Sequence, residues 1–331
     1  MINKPLLICM TPVRNEAWVL HAFLKATSLW ADYIIIADQM SIDGSREIAL
    51  SYPKVILIEN NNPDFNEADR QKLLIDKARE IKGDKILFGL DADELLAANF
   101  ANTEDWQKIL NSKPGDVFWF KWAEIRPDLK TYWESEKTYY PWVFHDDNIE
   151  PHGNYVRNMH SMRIPYPIEE KQMYYVDDFR VLHLAYLNTE RTNSKRRFYK
   201  ITDFELNKWN AISLSRSYAQ TKKESMVNNL PVNFMYNAAQ HGFDLFEFVD
   251  CNSKKHWFDD AVIKKIGTLN IENIKKIDLW DSEFLKNYQI LDPRSLIDKG
   301  IHFYLRNTQS IKSCLIMRII DRILKKLYLF R

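Results

Sequence analysis

Short apolar runs alternate with amphipathic segments over roughly the first 100 residues. Runs of five or six mainly apolar residues are typical of strands buried on both faces, and apolar residues at helical spacing follow each of the first three runs. Strands alternating with helices predict a mostly parallel sheet flanked by helices, in which ligands bind beyond the carboxyl ends of the strands. The predicted strands are Leu6–Met10, Tyr33–Ala37, Lys54–Glu59 and Lys85–Leu90, and the predicted helices are about Glu16–Trp30, Ser45–Ser51 and Glu67–Ile81.

Three acidic residues follow the fourth predicted strand within four positions: Asp91, Asp93 and Glu94. In an extended chain Asp91 and Asp93 project to the same side, so they can converge on one cation or one ribose. Hard carboxylate oxygens suit Mg²⁺ or Mn²⁺, which commonly accompany a diphosphate. The alternative is local, with Asp91 capping a turn and Glu94 opening a helix.

Aromatic residues are concentrated after residue 100, where Trp106, Trp119, Trp122, Trp133 and Trp142 are joined by Tyr132, Tyr139 and Tyr140. Such a cluster forms either part of the core or a platform for sugar rings, whose apolar faces pack on aromatic faces. The predicted elements are a helix at Asp105–Asn111, a strand at Asp116–Trp122, a loop or hairpin at Thr131–Trp142 and a strand at Met173–Leu184 broken by Asp177 and Asp178.

The rest of the chain is predicted to be helical. A basic helix spans about Ser194–Trp209, and helical spacing recurs at Phe234–Gln240, Lys255–Ile266 and Ile271–Leu279. We expect a domain boundary after Ser213, which gives a domain at 1–213 (parts 1–100 and 101–213), a helical region at 214–310 and a final helix at 311–331.

The segment Ile311–Arg331 is basic and amphipathic. Arg318, Asp321, Arg322 and Lys325 form one stripe, and isoleucines and leucines cover most of the remaining circumference. Such a helix either lies on an anionic membrane surface or packs against its own domain or a second subunit. It carries too many charges to span a bilayer.

Net charge and cysteine content indicate which kinds of partner and cellular compartment to expect. A net charge of +1 excludes a general polyanion-binding surface, so nucleic acid is not an expected partner. The cysteines Cys9, Cys251 and Cys314 have no metal-binding spacing and indicate reduced thiols of a cytoplasmic protein. The apolar run Pro5–Met10 is too short for the core of a signal peptide.

Four motifs in order resemble the family-2 glycosyltransferases of the GT-A fold. They are Thr11-Pro12-Val13-Arg14-Asn15-Glu16, Asp38-Gln39-Met40-Ser41-Ile42-Asp43-Gly44-Ser45, Asn66-Glu67-Ala68-Asp69-Arg70 and Asp91-Ala92-Asp93-Glu94, each at a strand end or helix start. The resemblance covers roughly the first 100 residues. It implies a GT-A type, Rossmann-like sheet, a nucleotide-sugar donor and a divalent metal, Mn²⁺ or Mg²⁺.

The same resemblance implies individual roles. Thr11 and Pro12 would line the nucleoside pocket, with Asn15 and Glu16 in the same donor-binding loop. Asp38 would accept from the base, Arg70 would contact the base or ribose, Asp91 would approach the ribose or metal, and Asp93 would coordinate the metal. Gln39 departs from the pattern, because a second aspartate is usual there.

A second resemblance lies in Val181-Leu182-His183-Leu184-Ala185-Tyr186, followed by Ser194-Lys195-Arg196-Arg197-Phe198-Tyr199. It implies His183 as a third metal ligand and Arg196 or Arg197 as a basic lid over the diphosphate; otherwise His183 would be a satisfied core group. Relatives carry a His-Glu pair before this histidine, whereas this chain has His160-Ser161.

In such transferases an acceptor hydroxyl attacks the anomeric carbon, usually with inversion, and the nucleoside diphosphate departs. A carboxylate must take the hydroxyl proton. Asp147 and Asp146 are the first candidates, although two aspartates in a loop can equally be a solvated turn. Glu124, Glu169 and Glu170 remain open.

The acceptor is expected to be a glycan or a glycolipid, such as a surface polysaccharide on a lipid carrier or a lipopolysaccharide core, and a soluble acceptor remains open. Residues 311–331 are expected to contact the membrane surface, which gives a location in the cytoplasm or at the cytoplasmic face of the membrane. Two other functions remain open. A sugar nucleotidyltransferase would need a glycine-rich loop after the first strand, and Thr11–Glu16 has no glycine. A non-catalytic nucleotide-sugar-binding protein would be expected to have lost the acidic cluster, and Asp91, Asp93 and Glu94 are all present.

Overall fold

The structure is a computed structural model that describes residues 4–149, 161, 163, 172–207, 209–218, 226–252, 256–309 and 314–328. The chain divides into two compact units. The first comprises Met1–Leu187 with Val227–Cys251, and the second comprises Asn188–Met226 with Asn252–Arg331. The boundary predicted after Ser213 falls inside the second unit.

A parallel sheet forms one half of the first unit, in the spatial order β4-β1-β2-β3. This half confirms the predicted α/β class and its predicted strand and helix order. Strand β1 runs three residues further than the apolar run predicts, through Thr11, Pro12 and Val13. The elements are β1 (Leu6–Val13), α1 (Ala17–Ser28), β2 (Tyr33–Asp38), α2 (Ser45–Leu50), β3 (Val55–Glu59), α3 (Glu67–Glu80) and β4 (Lys85–Gly89).

Helices cover both faces of this parallel half, which is why its strands are apolar at successive positions. On β1, Leu7 and Cys9 pack in the same cluster as Phe23 of α1, whereas Ile8 and Met10 pack in the cluster of Leu74 and Ile75 of α3. Alternate side chains of a strand point to opposite faces, so a strand with two covered faces needs an uninterrupted apolar run.

Antiparallel strands extend the sheet beyond β4, in the order β10-β7-β6-β8-β4. The predicted loop or hairpin at Thr131–Trp142 contains β7 and the start of β8, and both of these strands pair with β6. Strand β9 is continuous, with a register shift against β6 between Phe120 and Trp122. The elements are β5 (Glu94–Leu96), α4 (Glu104–Leu110), β6 (Val117–Ile125), β7 (Thr131–Trp133), β8 (Tyr140–His145), β9 (Met173–His183), β10 (Val227–Asn229) and α7 (Ala238–His241).

The second unit is helical in its described residues. Helix α5 begins five residues earlier than the basic pattern predicts, because Asn188 accepts from the Arg191 amide at 2.9 Å and so caps the helix. The predicted helix Ile271–Leu279 ends at Ile274. The elements are α5 (Thr189–Asn207), α6 (Ala211–Ser217), α8 (Trp257–Thr268), α9 (Ile271–Ile274), α10 (Ser282–Asn287), α11 (Leu296–Asn307) and α12 (Leu315–Leu327).

Helix α12 packs one side on its own unit. Asp321, which belongs to the predicted charged stripe, faces its own unit and accepts from Arg216 at 2.8 and 2.9 Å. Ile316, Ile319, Ile323 and Leu327 are exposed. None of the helices in the described ranges is long and apolar enough to cross a membrane.

Candidate functional site

Three parallel strands bring three of the four predicted donor-binding motifs to one edge of the sheet. Asp38 ends β2 in register with Val13 of β1, and the Leu90 amide, just past β4, donates to the Met10 carbonyl of β1 at 3.2 Å. Thr11 and Asp38 are buried, as is Pro12. The three motifs at the ends of β1, β2 and β4 are therefore neighbours in space, as the sequence predicts.

Asn15 and Glu16 hold two of these loops together. The Asn15 amide donates to Ser41 Oγ at 2.9 Å, and Asn15 Oδ1 accepts from the Ile42 amide at 2.8 Å. The Glu16 amide donates to Ser45 Oγ at 2.9 Å. Hydroxyls of the second motif thus satisfy amides at the start of α1, and the Glu16 side chain accepts from the Trp18 indole at 2.7 Å.

Asp38 combines one occupied and one available carboxylate oxygen. Its Oδ2 accepts from Arg46 Nη1 at 2.9 Å, and Arg46 also binds Glu59 at 2.9 Å. Its Oδ1 is buried and accepts no hydrogen bond from the described residues. A buried oxygen without a hydrogen bond destabilises the folded protein. A ligand that donates a hydrogen bond to Asp38 Oδ1 would remove this cost.

The Gln39 side chain holds a neighbouring loop in place. Its side-chain amide donates to the carbonyls of Asn62 and Asp64, at 2.7 and 2.8 Å, and so fixes the segment before α3. An aspartate has no amide hydrogens to donate. The departure from the family pattern is thus tied to the conformation of residues 62–64.

Two arginines, Arg14 and Arg70, contact the segment of residues 63–65, where Arg14 Nη1 donates to the Pro63 carbonyl at 3.3 Å. Burial lowers the pKa of Arg14, and the charge of Arg70 lowers it further. Arg70 packs its guanidinium on the ring of Phe65, 4.7 Å from the centroid, and its Nε is buried without a hydrogen bond to the described residues. Arg14 lies inside the first motif but was not among the predicted donor-binding residues. Two adjacent guanidiniums favour binding of a polyanion such as a diphosphate.

The acidic motif after β4 is closed by Arg163. Its Nη2 binds Asp91 Oδ2 at 2.9 Å, and its Nη1 binds Glu94 Oε2. Glu94 also accepts from the Asp91 amide and from the Trp122 indole, both at 3.0 Å. Burial raises the pKa of Glu94 to about 7, against the lowering effect of Arg163. Arg163 lies outside every predicted element, so the sequence carried no signal for it.

Asp93 and His183 come from chain segments that meet. Strand β5 pairs with β9 so that Glu94 faces His183, and the Leu184 amide donates to the Asp93 carbonyl at 2.8 Å. The His183 ring stacks on Trp122, with centroids 4.7 Å apart and planes 18° from parallel. Within the described residues, no three His, Cys, Asp or Glu side chains are arranged to hold a metal ion. The predicted ligand set Asp91, Asp93 and His183 is therefore not assembled.

The structure places Asp146 and Asp147 at the opposite end of β4 from Asp91. Strand β8 is antiparallel to β4, and the Asp146 amide donates to the carbonyl of Lys85, the first residue of β4, at 3.0 Å. Four residues of extended strand, about 13 Å, separate Lys85 from Gly89. The Asp146 side chain is buried in an ion pair with Arg79 at 2.9 Å. These two aspartates are thus not brought to the predicted site.

The remaining candidates divide between the two units. Glu124 is buried on β6, in register with His183, whereas Glu169, Glu170 and His160 lie outside the described residues. In the second unit, Arg197 binds Asp259 at 2.8 Å and Asp281 at 2.5 Å. Its guanidinium is therefore engaged by carboxylates of its own unit. Arg196 lies on the same helix, α5.

Some residues of the aromatic cluster lie in the core, and others lie beside the acidic motif. Trp106 and Trp142 are buried in the core. Trp122 packs on Tyr140 at 4.1 Å between centroids and binds the acidic motif through Glu94. Burial, together with the charge of Glu124, raises the pKa of Tyr140 to about 12. A partly exposed aromatic beside the acidic motif can offer a face to a sugar ring.

Comparison with known proteins gives only distant likenesses. No family model matches the chain, and no curated protein matches it. Among solved structures, the chain is similar to mannosyl-3-phosphoglycerate synthase from Rubrobacter xylanophilus, at 18% identity and TM-score 0.29, over 38% of this chain and 41% of that one. It is also similar to glucosyl-3-phosphoglycerate synthase from Mycobacterium tuberculosis, at 16% identity and TM-score 0.27, over 36% of this chain and 44% of that one.

A third solved structure, GalNAc-T7 with UDP, GalNAc and Mn²⁺, is similar over 81% of this chain and 58% of its own, at 14% identity and TM-score 0.38. The chain thus spans less than half the length of the two synthases. At these scores the neighbours' substrates are properties of those proteins alone.

Proposed function

We propose that this protein is a glycosyltransferase that moves a sugar from a nucleotide-sugar donor to a hydroxyl of a glycan or lipid-linked acceptor. The observation that carries the proposal is the edge of the sheet formed by the ends of β1, β2 and β4. It combines a buried carboxylate oxygen of Asp38 that has no partner in the described residues with the guanidiniums of Arg14 and Arg70, which contact the same segment, residues 63–65. A nucleoside diphosphate has matching groups, namely N–H donors on the base and negative charge on the diphosphate.

In this arrangement each group has a separate task. Asp38 Oδ1 accepts from the base, and the buried Thr11 and Pro12 pack against the nucleoside. Arg14 and Arg70 stabilise the negative charge that grows on the departing diphosphate. For the proton of the acceptor hydroxyl we propose Glu124, because the other described candidates, Asp146 and Asp147, lie at the far end of β4. Attack from the face opposite the diphosphate gives inversion at the anomeric carbon.

The metal-dependent form of this reaction is not part of the proposal. The fold family implies a divalent ion at Asp91, Asp93 and His183, but the described side chains do not form such a group, and Arg163 already binds Asp91 and Glu94.

A thermal-shift screen with UDP, GDP, CDP and their sugars tests donor binding. One nucleotide class should stabilise the protein by about 2.7 kcal/mol at 100 times its Kd. Asp38→Asn should lose most of that shift, because it places a donor beside donors of the base. Asp76→Asn, exposed on α3, is the matched control. No shift with any nucleotide, or an undiminished shift in Asp38→Asn, would contradict the proposal.

Two activity measurements separate this function from a sugar nucleotidyltransferase. The proposed enzyme releases nucleoside diphosphate when a sugar is transferred. A nucleotidyltransferase instead forms pyrophosphate from a nucleoside triphosphate and a sugar 1-phosphate. Pyrophosphate release without transfer from a nucleotide sugar would favour that alternative.

We also propose a cytoplasmic enzyme that contacts an anionic membrane surface through α12. The exposed stripe of Ile316, Ile319, Ile323 and Leu327 lies beside Arg318, Arg322, Lys325 and Lys326, which are exposed as well. Two such basic helices would repel each other, whereas anionic headgroups attract them. We expect co-sedimentation with phosphatidylglycerol vesicles but not with phosphatidylcholine vesicles, and its loss in Ile323→Glu. Leu291→Glu, at another exposed site, is the control; equal binding by Ile323→Glu would refute this contact.

A further inference from the structure

Arg163 is fixed against the acidic motif by shape as well as charge. Its guanidinium binds Asp91 at 2.9 Å and also binds Glu94, and it lies 5.9 Å from the ring centroid of Trp142. Its backbone approaches Gly89 so closely that a Cβ there would lie 3.1 Å from Arg163 Cβ and 3.2 Å from its carbonyl oxygen. Glycine at the end of β4 therefore makes room for Arg163.

Three carboxylate oxygens of the acidic motif already accept hydrogen bonds. Both oxygens of Glu94 accept hydrogen bonds, from Arg163 and the Asp91 amide on one side and from Trp122 on the other. Asp91 Oδ2 is bound by Arg163. Mg²⁺ and Mn²⁺ bind through several oxygen ligands at about 2.1 Å. A dication on these oxygens would compete with, and be repelled by, a guanidinium within hydrogen-bond distance of the same atoms.

We propose that the guanidinium of Arg163 takes the place of the divalent cation at Asp91 and Glu94, so that the site binds its nucleoside diphosphate without a metal ion. A guanidinium has five N–H donors, and the two ion pairs engage one on each of two nitrogens. The Arg163 side chain is 20% exposed, so donors remain for a phosphate oxygen. Arginine suits this task because its planar fork matches phosphate oxygens.

The charges of the site agree with this assignment. Asp91 is partly exposed and forms an ion pair with Arg163 at 2.9 Å. Glu94 is buried and supports the guanidinium from behind. Arg163 is thus a cation anchored by two carboxylates, as a bound metal ion would be, but supplied by the chain itself.

The metal alone provides the first test, and this arm does not depend on the proposed function. Mn²⁺ binding is measured by electron paramagnetic resonance for wild type, Arg163→Ala, and Arg163→Ala combined with Asp91→Asn. We expect at least tenfold tighter Mn²⁺ binding in Arg163→Ala than in wild type, and loss of the gain in the double variant. Lys286→Ala, which removes an exposed cation from α10, should bind Mn²⁺ as wild type does.

The nucleotide provides the second test, and this arm rests on the proposed function. The thermal shift of wild type with UDP, GDP or CDP should be the same in EDTA and in MnCl₂. Arg163→Ala should lose the shift in EDTA and recover part of it with Mn²⁺. A wild-type shift that requires Mn²⁺ would overturn the inference.

Wild-type measurements keep the inference testable even if Arg163→Ala does not fold. Tight Mn²⁺ binding by wild type that is lost in Asp91→Asn would refute it, because the carboxylates would then hold metal with Arg163 in place. If no nucleotide shifts the wild type in either buffer, the proposed function fails, and the Mn²⁺ titrations still decide the role of Arg163.

Discussion

Substituting Asp146 and Asp147, one at a time, tests whether these aspartates stabilise the fold or take part in catalysis. Asp146 is fully buried and binds Arg79 through both oxygens, at 2.9 and 3.2 Å, with Arg79 only 14% exposed. Removing one partner of a buried ion pair costs about 3–5 kcal/mol. Arg79 retains some solvent contact, so we expect about 3 kcal/mol for Asp146→Asn. At about 2–4 °C per kcal/mol for a domain of 150–250 residues, Tm should fall by about 6–12 °C.

Asp147→Asn is the matched variant one residue away. Asp147 lies in the loop and accepts from the Ile149 amide at 3.1 Å, so its loss should change stability by about 1 kcal/mol or less. Below the melting transition, both variants should keep the wild-type nucleotide-dependent thermal shift and turnover within a fewfold. The assays are calorimetry or thermal shift, followed by release of nucleoside diphosphate. A Tm unchanged in Asp146→Asn, or a hundredfold loss of turnover in either variant with nucleotide binding intact, would refute the structural assignment.

Two further substitutions test buried polar contacts. Burial by itself raises the pKa of Asp278, but the charges of Lys200 and Arg306 lower it overall to well below its usual range. The Asp278 carboxylate therefore stabilises the fold above about pH 4, and this stabilisation is lost as the pH falls. Asp278→Asn should cost about 3–5 kcal/mol at pH 7, and this difference from wild type in denaturant unfolding should shrink at acid pH; a constant difference would contradict the assignment. Gln39→Asp, which inserts the aspartate usual in the family, should cost about 1–3 kcal/mol, because the buried side chain loses its two hydrogen bonds to the carbonyls of Asn62 and Asp64. Chemical denaturation measures this against the exposed Gln107→Asp, and equal stability of the two variants would refute it.

Local pattern was sufficient for the parallel half of the sheet. Strands covered on both faces need uninterrupted apolar runs, and the helices between them show apolar residues at helical spacing, so β1 to β4 and α1 to α3 could be predicted from the sequence. Because parallel strands end at one edge, the neighbourhood of Thr11, Asp38 and Asp91 followed from strand order alone. Arg14 lies in the first motif, so its position near this edge could be predicted in the same way.

Strand direction and distant charges could not be predicted in this way. Asp146 and Asp147 fall at the far edge of the sheet because β8 runs antiparallel to β4, and apolar periodicity is the same for both directions of a strand. The resemblance implied Arg197 as part of a basic lid over the diphosphate. The carboxylates that bind it, Asp259 and Asp281, come 62 and 84 residues later in the chain.

The sequence by itself determined which strands are buried and which polar groups stand at their ends, because burial and strand periodicity are local properties. Only the tertiary structure decided what faces the acidic motif. Arg163 reaches Asp91 across 72 residues of chain, and Gly89 lets it approach. A charge pair between such distant positions depends on how the chain folds back, and no local pattern of residues records that path.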